Sequence, residues 1–355
     1  MFRIHMLPAE HGDCLWIEYG DSTPPRRMLI DCGTTGTYTR ALRAKIRAVV
    51  AAEGTCRFEL FVVTHIDADH IGGAIALLGE ADALGLEIAH IWFNGYFHLS
   101  NQKPGMLGPD QGERLTALIE DGKWQWNAQF GKRAVAVPDT GALPQHEIAG
   151  MKLTLLSPTL EKLRKLKPVW EKALHAAGLT PGDAYTVEAQ DLPEGFLGTD
   201  VKALAGRPFK QDRAEANGAS IAFLAEYDGK RVVFAADAHP DALLAALARE
   251  PLACQVLPVD AFKLPHHASR NNVSQALVSA YPAAHYLVST NGNQFKHPDA
   301  EAIARVLLAA PGTAPHIHFN YESAFNTEWR SKSLTRKWKY KAQYGTDQDG
   351  LVLEL

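Results

Sequence analysis

Apolar runs of six or seven residues, bounded by glycine, proline or aspartate, recur along the chain and alternate with stretches of helical periodicity. The runs predict β-strands at 14–19, 27–33, 58–63, 88–93, 152–158, 221–227, 231–237 and 350–355. Apolar spacing predicts helices over 38–53 and 112–121, and a further helix that begins at Ala74. The mixture is compatible with an α/β protein, but it does not by itself specify how the strands are arranged.

The composition is that of an ordinary globular protein. Of 355 residues, 46% are hydrophobic and 21% charged, and the net charge is -4. That length has room for one large domain or two small ones. The negative charge argues against a protein built to coat nucleic acid. The four cysteines are scattered without a CxxC pair, which is typical of a reducing compartment. The first residues lack an apolar leader and no run reaches the length of a membrane span, so we expect a cytosolic protein without membrane contact.

The densest chemistry lies between the predicted strand 58–63 and the predicted helix at Ala74. Within six positions the chain places two histidines and two aspartates, namely His65, Asp67, Asp69 and His70. Carboxylates suit the positive end of a helix, and Gly72 and Gly73 allow a close backbone approach. Imidazole and carboxylate groups at this density indicate a divalent metal site for zinc, manganese or iron. The alternative is an aspartate-rich helix cap with two incidental histidines.

This stretch resembles the metal-binding signature of the metallo-β-lactamase superfamily, His-x-His-x-Asp-His. Here it is written His65-x-Asp67-x-Asp69-His70, with aspartate at the usual second histidine. The variant is similar to the metallo-hydrolase domain of ComEC-type DNA-uptake proteins and their soluble relatives. Within the same resemblance, Asp31 supports the metal site from behind, although a turn-capping role is the alternative. An oxygen ligand in place of a nitrogen moves the preference from zinc towards manganese.

Asp237 ends an apolar strand, where an unpaired charge is unfavourable. The resemblance implies that it bridges two metal ions, and the alternative is a cap for the helix near Pro240. The family also places a ligand histidine before the strand that follows Asn217, but no histidine lies between His175 and His239. Asn217 is therefore a candidate to offer an amide oxygen or orient a water. We expect one tightly held ion, with a second arriving with substrate.

A second histidine pair, His266-His267, follows another apolar run and resembles the Pro-His-His-Gly-Ser motif of the ComEC-type domain. Ala268 replaces the usual glycine. We predict that His266 binds metal and that His267 either faces substrate or acts as a general acid, while the reverse order and a purely structural pair remain open. Ser269 and His297 are assigned to substrate binding, since His297 lies in the closing motif and could reach a phosphate oxygen.

Two further segments stand apart from the motifs. Residues 159–216 are charged, then polar and punctuated by glycine and proline, which predicts an insertion. It either covers the site, contacts another copy in a homo-oligomer, or is a solvated excursion. The C-terminal extension, 311–355, contains a stripe at 329–341 with six cations, three aromatics and no acid. That stripe could follow a phosphate backbone and stack bases, or it is a strand with one solvated basic face.

The resemblance covers 1–158 and 217–310 and implies a single metallo-β-lactamase-like domain over 1–355. The expected fold is an αββα four-layer sandwich with the insertion at one side. The expected cofactor is one or two divalent ions, zinc or manganese, and Asp69 and His267 are the predicted catalytic residues. The favoured function is a phosphodiesterase or nuclease that uses a metal-activated water. The alternatives are a hydrolase of a small phosphoester, lactone or other cyclic ester, and a metal-binding interaction protein that has lost activity.

Overall fold

The computed structural model describes residues 1–99, 110–122, 124–176, 199–309 and 314–355. The middle of the predicted insertion and part of the glycine-rich loop after 94 lie outside these residues. The described strands are β1 (Phe2–Met6), β2 (Leu15–Tyr19), β3 (Arg26–Ile30), β4 (Cys56–Phe58), β5 (Leu60–Val62), β6 (Leu86–Ile88), β7 (His90–Trp92), β8 (Gln125–Trp126), β9 (Gln145–Ile148), β10 (Met151–Ser157), β11 (Ala222–Tyr227), β12 (Lys230–Phe234), β13 (Val259–Lys263), β14 (Ala283–Val288), β15 (His316–Phe319), β16 (Lys341–Tyr344) and β17 (Leu351–Glu354).

The strands form two large sheets. Among the described residues, the N-terminal sheet has the order β17-β1-β2-β3-β5-β7-β8, and the C-terminal sheet has the order β16-β15-β14-β13-β12-β11-β10-β9. Both sheets mix orientations, because β1, β2 and β3 are antiparallel hairpins whereas β5 and β7 run parallel to β3. In the C-terminal sheet, β12 to β16 run parallel. The extension 311–355 supplies β15, β16 and β17 and therefore takes part in both sheets.

The described helices are α1 (Thr35–Thr37), α2 (Arg43–Glu53), α3 (Ala68–Gly79), α4 (Ala81–Leu84), α5 (Asp110–Asp121), α6 (Leu160–Ala176), α7 (Val201–Ala205), α8 (Glu215–Gly218), α9 (Pro240–Leu247), α10 (Gln275–Ala280), α11 (Ala300–Ala309) and α12 (Lys332–Trp338). A π-helical segment, Tyr38–Leu42, joins α1 to α2, so the predicted helix 38–53 is one continuous helical stretch. None of the described helices combines the length and the apolar character needed to cross a membrane.

Buried apolar side chains define the layers. The inner faces of the two sheets share one core, in which Ile4 and Ile17 of one sheet pack with Leu153 and Phe223 of the other. The outer face of the N-terminal sheet packs on α2, α3 and α5 through a second cluster that contains Trp16. Side chains of α9, α10 and α11 belong to the core of the C-terminal sheet. The predicted αββα sandwich of the metallo-β-lactamase type is confirmed.

Three predicted elements differ from the structure. The runs 58–63 and 88–93 divide at Glu59 and Ala89, because β4 and β6 pair in a separate two-stranded sheet while β5 and β7 enter the N-terminal sheet. The basic stripe is not a strand, since a 3-10 turn at Thr327–Arg330 and helix α12 occupy most of it. Trp329 and Tyr340 are both buried. Side chains alternate between the two faces of a strand, so an odd-numbered and an even-numbered residue would lie on opposite faces, and burial of both favours helix and turn.

Candidate metal centre

The candidate residues meet where strands of both sheets end and loops begin. His65 and Asp67 lie on the loop after β5, and α3 begins at Ala68, six residues earlier than the sequence indicated. Asp69 and His70 therefore stand in the first turn of this helix. A side chain on Gly73 would collide with the backbone of Cys32, so this glycine allows α3 to approach the end of β3 closely.

Asp237 is at the middle of the group. Four imidazole Nε2 atoms surround its Oδ2 atom, at 3.5 Å for His70, 3.8 Å for His266, 3.8 Å for His267 and 3.9 Å for His65. The Nε2 atoms of His65, His70 and His267 are buried and have no hydrogen-bond partner among the described residues. Buried nitrogens are rarely left unpaired, and imidazole with carboxylate is a typical donor set for a divalent metal. The residues present therefore fit a metal centre.

Two further aspartates extend the group on opposite sides. The Oδ2 atom of Asp69 lies 3.5 Å from Nε2 of His267 and 4.0 Å from Nε2 of His70. On the other side, Oδ2 of Asp67 lies 3.6 Å from Nε2 of His65, and this aspartate is 44% exposed. Possible ligand atoms of His65, His70 and Asp237 lie within 4.8 Å of one another, as do those of Asp69, His70 and His267. The two groups share His70, and Oδ2 of Asp237 lies 3.9 Å from Nε2 of His65 in one group and 3.8 Å from Nε2 of His267 in the other.

The Nδ1 atoms of His70 and His267 donate hydrogen bonds to oxygen atoms outside the group around Asp237. Nδ1 of His70 donates to Oδ2 of Asp31 over 2.8 Å, and Nδ1 of His267 donates to the Ser289 carbonyl over 2.7 Å. Asp31 also accepts bonds of 2.7 Å from the backbone N–H and the hydroxyl of Thr64. Bonds of this kind fix the ring orientation and leave the Nε2 lone pair to face the metal. The hydrogen bond between His70 and Asp31 is compatible with the supporting role that the resemblance implied for Asp31, and that role stays a prediction.

The two neighbouring histidines differ in their surroundings. His267 is fully buried, whereas 22% of the His266 side chain is exposed. Nδ1 of His266 donates to the side-chain oxygen of Asn272 over 3.0 Å and lies 3.5 Å from Oδ2 of Asp212. Both histidines and Ala268 have left-handed backbones, with φ of 48°, 52° and 64°, although such angles are unfavourable for residues other than glycine. The burial favours the reverse of the predicted order, and His266 as the ligand stays a prediction.

Neighbouring carboxylates and imidazoles shift one another's pKa values in this group. Burial alone would raise the pKa of Asp237, but His70, His267 and His266 hold it well below its ordinary value. Burial likewise opposes the charged form of His266, yet Asp237 and Asp212 raise the pKa of this imidazole to about 9. The pKa of His70 is also raised, because the carboxylates around it outweigh the effect of burial. The carboxylates thus create a site that requires positive charge, as protons or as a metal.

Two supporting groups were not predicted. Nζ of Lys263 lies 2.6 Å from Oδ2 of Asp13, both side chains are buried, and Oδ1 of Asp13 is 3.5 Å from Nδ1 of His267. Asp212, inside the predicted insertion, accepts from Nδ2 of Asn217 over 2.7 Å and from Nδ2 of Asn272 over 3.1 Å. Lys263 lies within the apolar run of β13, and a charge at such a position could have indicated the buried pair with Asp13. The sequence around Asp212 offers no signal for the second.

The remaining predicted residues lie around this group. Asn217 is buried, and its side-chain oxygen has no partner among the described residues. The ring of His297 lies 5.4 Å from that of His266, and its Nδ1 is 3.3 Å from Oδ2 of Asp299. Ser269 is buried, and its hydroxyl oxygen accepts from the backbone N–H of Asn271. The structure therefore brings His297 and Asn217 to the centre, while Ser269 is engaged within its own turn.

One family match agrees with this fold. A family model described as the metallo-beta-lactamase superfamily matches residues 8–136. No curated protein matches the sequence. Among solved structures, a protein described as a metal-dependent hydrolase from Parabacteroides distasonis ATCC 8503 is 11% identical, with a TM-score of 0.38 over 90% of this chain and 92% of that one.

Two other solved structures are similar at the same level. CmlA, a diiron β-hydroxylase from Streptomyces venezuelae, is 13% identical with a TM-score of 0.43; the match covers 100% of this chain and 54% of that one. This chain therefore spans about half the length of CmlA. A diphosphatase from the PhnP family is 12% identical with a TM-score of 0.41 over 100% of this chain and 98% of that one. The superfamily model covers residues 8–136 of the 355-residue chain, and the mixed α/β structure is consistent with the metallo-β-lactamase fold.

Proposed function

We propose that the protein is a metal-dependent hydrolase that cleaves a phosphodiester. The observation that carries the hydrolase proposal is the convergence of three buried, unpartnered imidazole nitrogens on Asp237. One metal position would be held by His65, Asp67 and Asp237. The other would be held by Asp69, His70, His267 and Asp237. This assignment makes His267 a ligand and leaves His266 to face the substrate.

When bound, a divalent ion would supply Lewis acidity and lower the pKa of a water molecule. The protein contributes orientation and proton handling. Asp69 has its carboxylate at the centre, where it can accept a hydrogen bond from the attacking water and fix its direction. His266 is partly exposed and carries a raised pKa of about 9, so it can donate a proton to the leaving oxygen. Asp212 and Asn272 would hold His266 in position for that transfer.

Three observations favour a phosphodiester substrate. The donor set includes three carboxylates, Asp67, Asp69 and Asp237, which suits manganese better than a set of imidazoles alone. The motifs resemble those of the ComEC-type domain. The basic stripe also presents exposed cations on and beside α12, among them Lys332, Arg336, Lys337, Lys339 and Lys341. Because Trp329 and Tyr340 are buried, these two rings are not free to stack on bases, and attraction to phosphates would carry nucleic-acid binding.

A smaller substrate is the second candidate. Helix α6 is fastened beside the centre, because Nζ of Lys162 lies 3.0 Å from Nδ1 of His239 and 2.9 Å from Oδ1 of Asp241. Nε2 of His239 lies 3.8 Å from Oδ2 of Asp212, which neighbours His266, so a helix held at this side would limit the room for a bulky substrate. A small phosphoester or a lactone would enter such a site more easily than a duplex.

The experiment combines metal analysis with hydrolysis assays. The protein would be purified without a chelating tag and incubated with bis-p-nitrophenyl phosphate and with single- and double-stranded DNA. Manganese, zinc and magnesium would be tested separately. We expect metal-dependent cleavage that disappears in Asp69→Ala and His70→Ala. Asp82→Ala, at an exposed aspartate on α4, should behave as the unchanged protein.

Other outcomes would redirect the proposal. Bound metal with hydrolysis of lactones or phosphomonoesters alone would favour the small-substrate candidate. Bound metal without hydrolysis of any ester would favour an interaction protein. Absence of bound metal under every ion tested would contradict the metal-dependent function altogether.

A further inference from the structure

A second group of three histidines lies away from the candidate centre, on the C-terminal sheet. His285 is on β14, and His316 and His318 are on β15. These parallel strands are paired so that His285 is opposite His316. Alternate residues of a strand point to the same face, so His316 and His318 share a face. One nitrogen from each of the three imidazoles lies within 4.8 Å of the other two.

The three rings are close enough to act together. Ring centroids are 5.1 Å apart for His285 and His316, 5.1 Å for His285 and His318, and 6.1 Å for His316 and His318. Nδ1 of His285 lies 2.9 Å from Nε2 of His318. The other nitrogen of His318, Nδ1, is buried and has no partner among the described residues. His285 and His316 are half-buried, so solvent reaches this group.

We propose that His285, His316 and His318 form a second metal site that takes a zinc-class divalent cation. Zinc binds imidazole nitrogen at about 2.0–2.1 Å in tetrahedral geometry, which places two ligand nitrogens about 3.4 Å apart. The observed separation of 2.9 Å needs to open by only about 0.5 Å, within the range of a small ring rotation. Three imidazoles without a carboxylate in the ligand group favour zinc, copper or nickel over manganese or magnesium.

The site is distinct from the candidate centre in place and in role. His285 precedes Ser289 by four residues, and the Ser289 carbonyl is the group that orients His267. At about 3.3 Å per residue, this separation is about 13 Å along the strand. An ion held by both strands would fasten β14 to β15. Any ion that binds only the folded state stabilises it by mass action, so the site would stabilise β14, the strand that leads to the Ser289 carbonyl.

The first test uses diethyl pyrocarbonate, which acylates accessible imidazole nitrogen, with peptide mapping by mass spectrometry. The intact protein would be treated without metal, with zinc and with manganese. We expect zinc to protect His285 and His316 at least about fivefold and manganese to leave them unprotected. His90 and His146, which are half-buried histidines elsewhere, are the internal controls and should react equally in all samples. Equal modification of His285 and His316 with and without zinc would overturn the proposal.

The second test counts zinc after equilibrium dialysis. The unchanged protein should hold one more zinc per chain than the double variant His285→Gln/His316→Gln, while His90→Gln should match the unchanged protein. Equal zinc content in a folded double variant would also overturn the proposal. If the double variant does not fold, the footprint on the unchanged protein decides the question. Neither readout depends on hydrolysis, so failure here is distinguishable from failure of the proposed function.

Discussion

The two histidine clusters of this protein use the same side chain in opposite electrostatic settings. At the candidate centre, the imidazoles surround Asp237, and His70 donates a hydrogen bond to Asp31. In the second cluster, the histidines contact one another. Carboxylates raise the pKa of His70, whereas burial and the neighbouring histidines lower the pKa of His318 to about 3. The surroundings, more than the count of histidines, decide what each cluster binds.

This difference has a consequence for metal choice. The centre offers carboxylate oxygens beside imidazole nitrogens, so it accommodates manganese as well as zinc. The second cluster offers nitrogen alone and should discriminate against manganese. A substitution at either cluster should leave the metal preference of the other unchanged, because they share no side chain. The following predictions test that separation.

The largest effect is expected from Asp237→Ala. Loss of the carboxylate between both metal positions removes several kcal/mol of stabilisation, which corresponds to about 10³-fold or more in metal-dependent turnover. The matched variant His316→Gln in the second cluster should stay within about twofold of the unchanged protein. Steady-state hydrolysis of bis-p-nitrophenyl phosphate measures both. A comparable loss in His316→Gln would show that the clusters are coupled.

The next largest effect concerns the buried pair behind His267. Lys263→Met leaves Asp13 as an uncompensated buried charge, and the expected loss of unfolding free energy is about 3–5 kcal/mol. The control is Lys230→Met, which removes a partly exposed partner of Asp260 and should cost at most about 1 kcal/mol. Urea denaturation of both variants measures the difference. Equal stability losses would mean that the buried pair contributes no more than a surface pair.

A smaller effect is expected from Asp31→Asn, which keeps the shape but removes the charge that orients His70. Loss of such a supporting carboxylate lowers metal affinity by about 10–100-fold. Asp82→Asn, on the exposed side of α4, should leave affinity unchanged. Manganese titration by calorimetry gives both values. Unchanged affinity in Asp31→Asn would contradict the orienting role of Asp31. The centre would then bind metal without help from a supporting carboxylate, as is proposed for the second cluster.

The smallest effect is a pH dependence that differs between the clusters. Because its pKa is raised, the assigned ligand His70 holds an additional proton in the metal-free protein at neutral pH. Metal binding there must displace protons, so affinity at the centre should rise with pH by about tenfold per unit for each proton released. The pKa of His318 is about 3, so that residue has no proton to lose between pH 6 and 8. Calorimetry in two buffers of different ionisation enthalpy measures the protons released, and zero release at the centre would contradict the assignment.

Local sequence predicts those parts of the centre that depend on spacing. The pattern from His65 to His70 and the charge of Asp237 at a strand end could be identified from local spacing, whereas the support by Asp31 was implied only by the resemblance. The same reasoning predicted the four-layer fold through the resemblance of the motifs. It could not separate His266 from His267, because their left-handed backbone follows from a turn whose usual glycine is Ala268.

Groups assembled by distant contacts gave no comparable signal. Asp13 and Lys263 are 250 positions apart and meet only because the two sheets face each other. Asp212 approaches His266 from within a segment that looked like a solvated excursion. The second histidine cluster depends on the register between β14 and β15, which pairs His285 with His316. Register and layer packing are tertiary properties, and one sequence does not specify them.

The most direct measurement of the central claim is the metal content of the unchanged protein and of Asp237→Ala. Both would be equilibrated with manganese and analysed by mass spectrometry of the metal, with folding checked by circular dichroism. Manganese isolates the centre, because the second cluster should not retain it. We predict at least one manganese per chain in the unchanged protein and none in folded Asp237→Ala. Equal manganese content in the two proteins would contradict the claim that Asp237 is the middle of a metal centre.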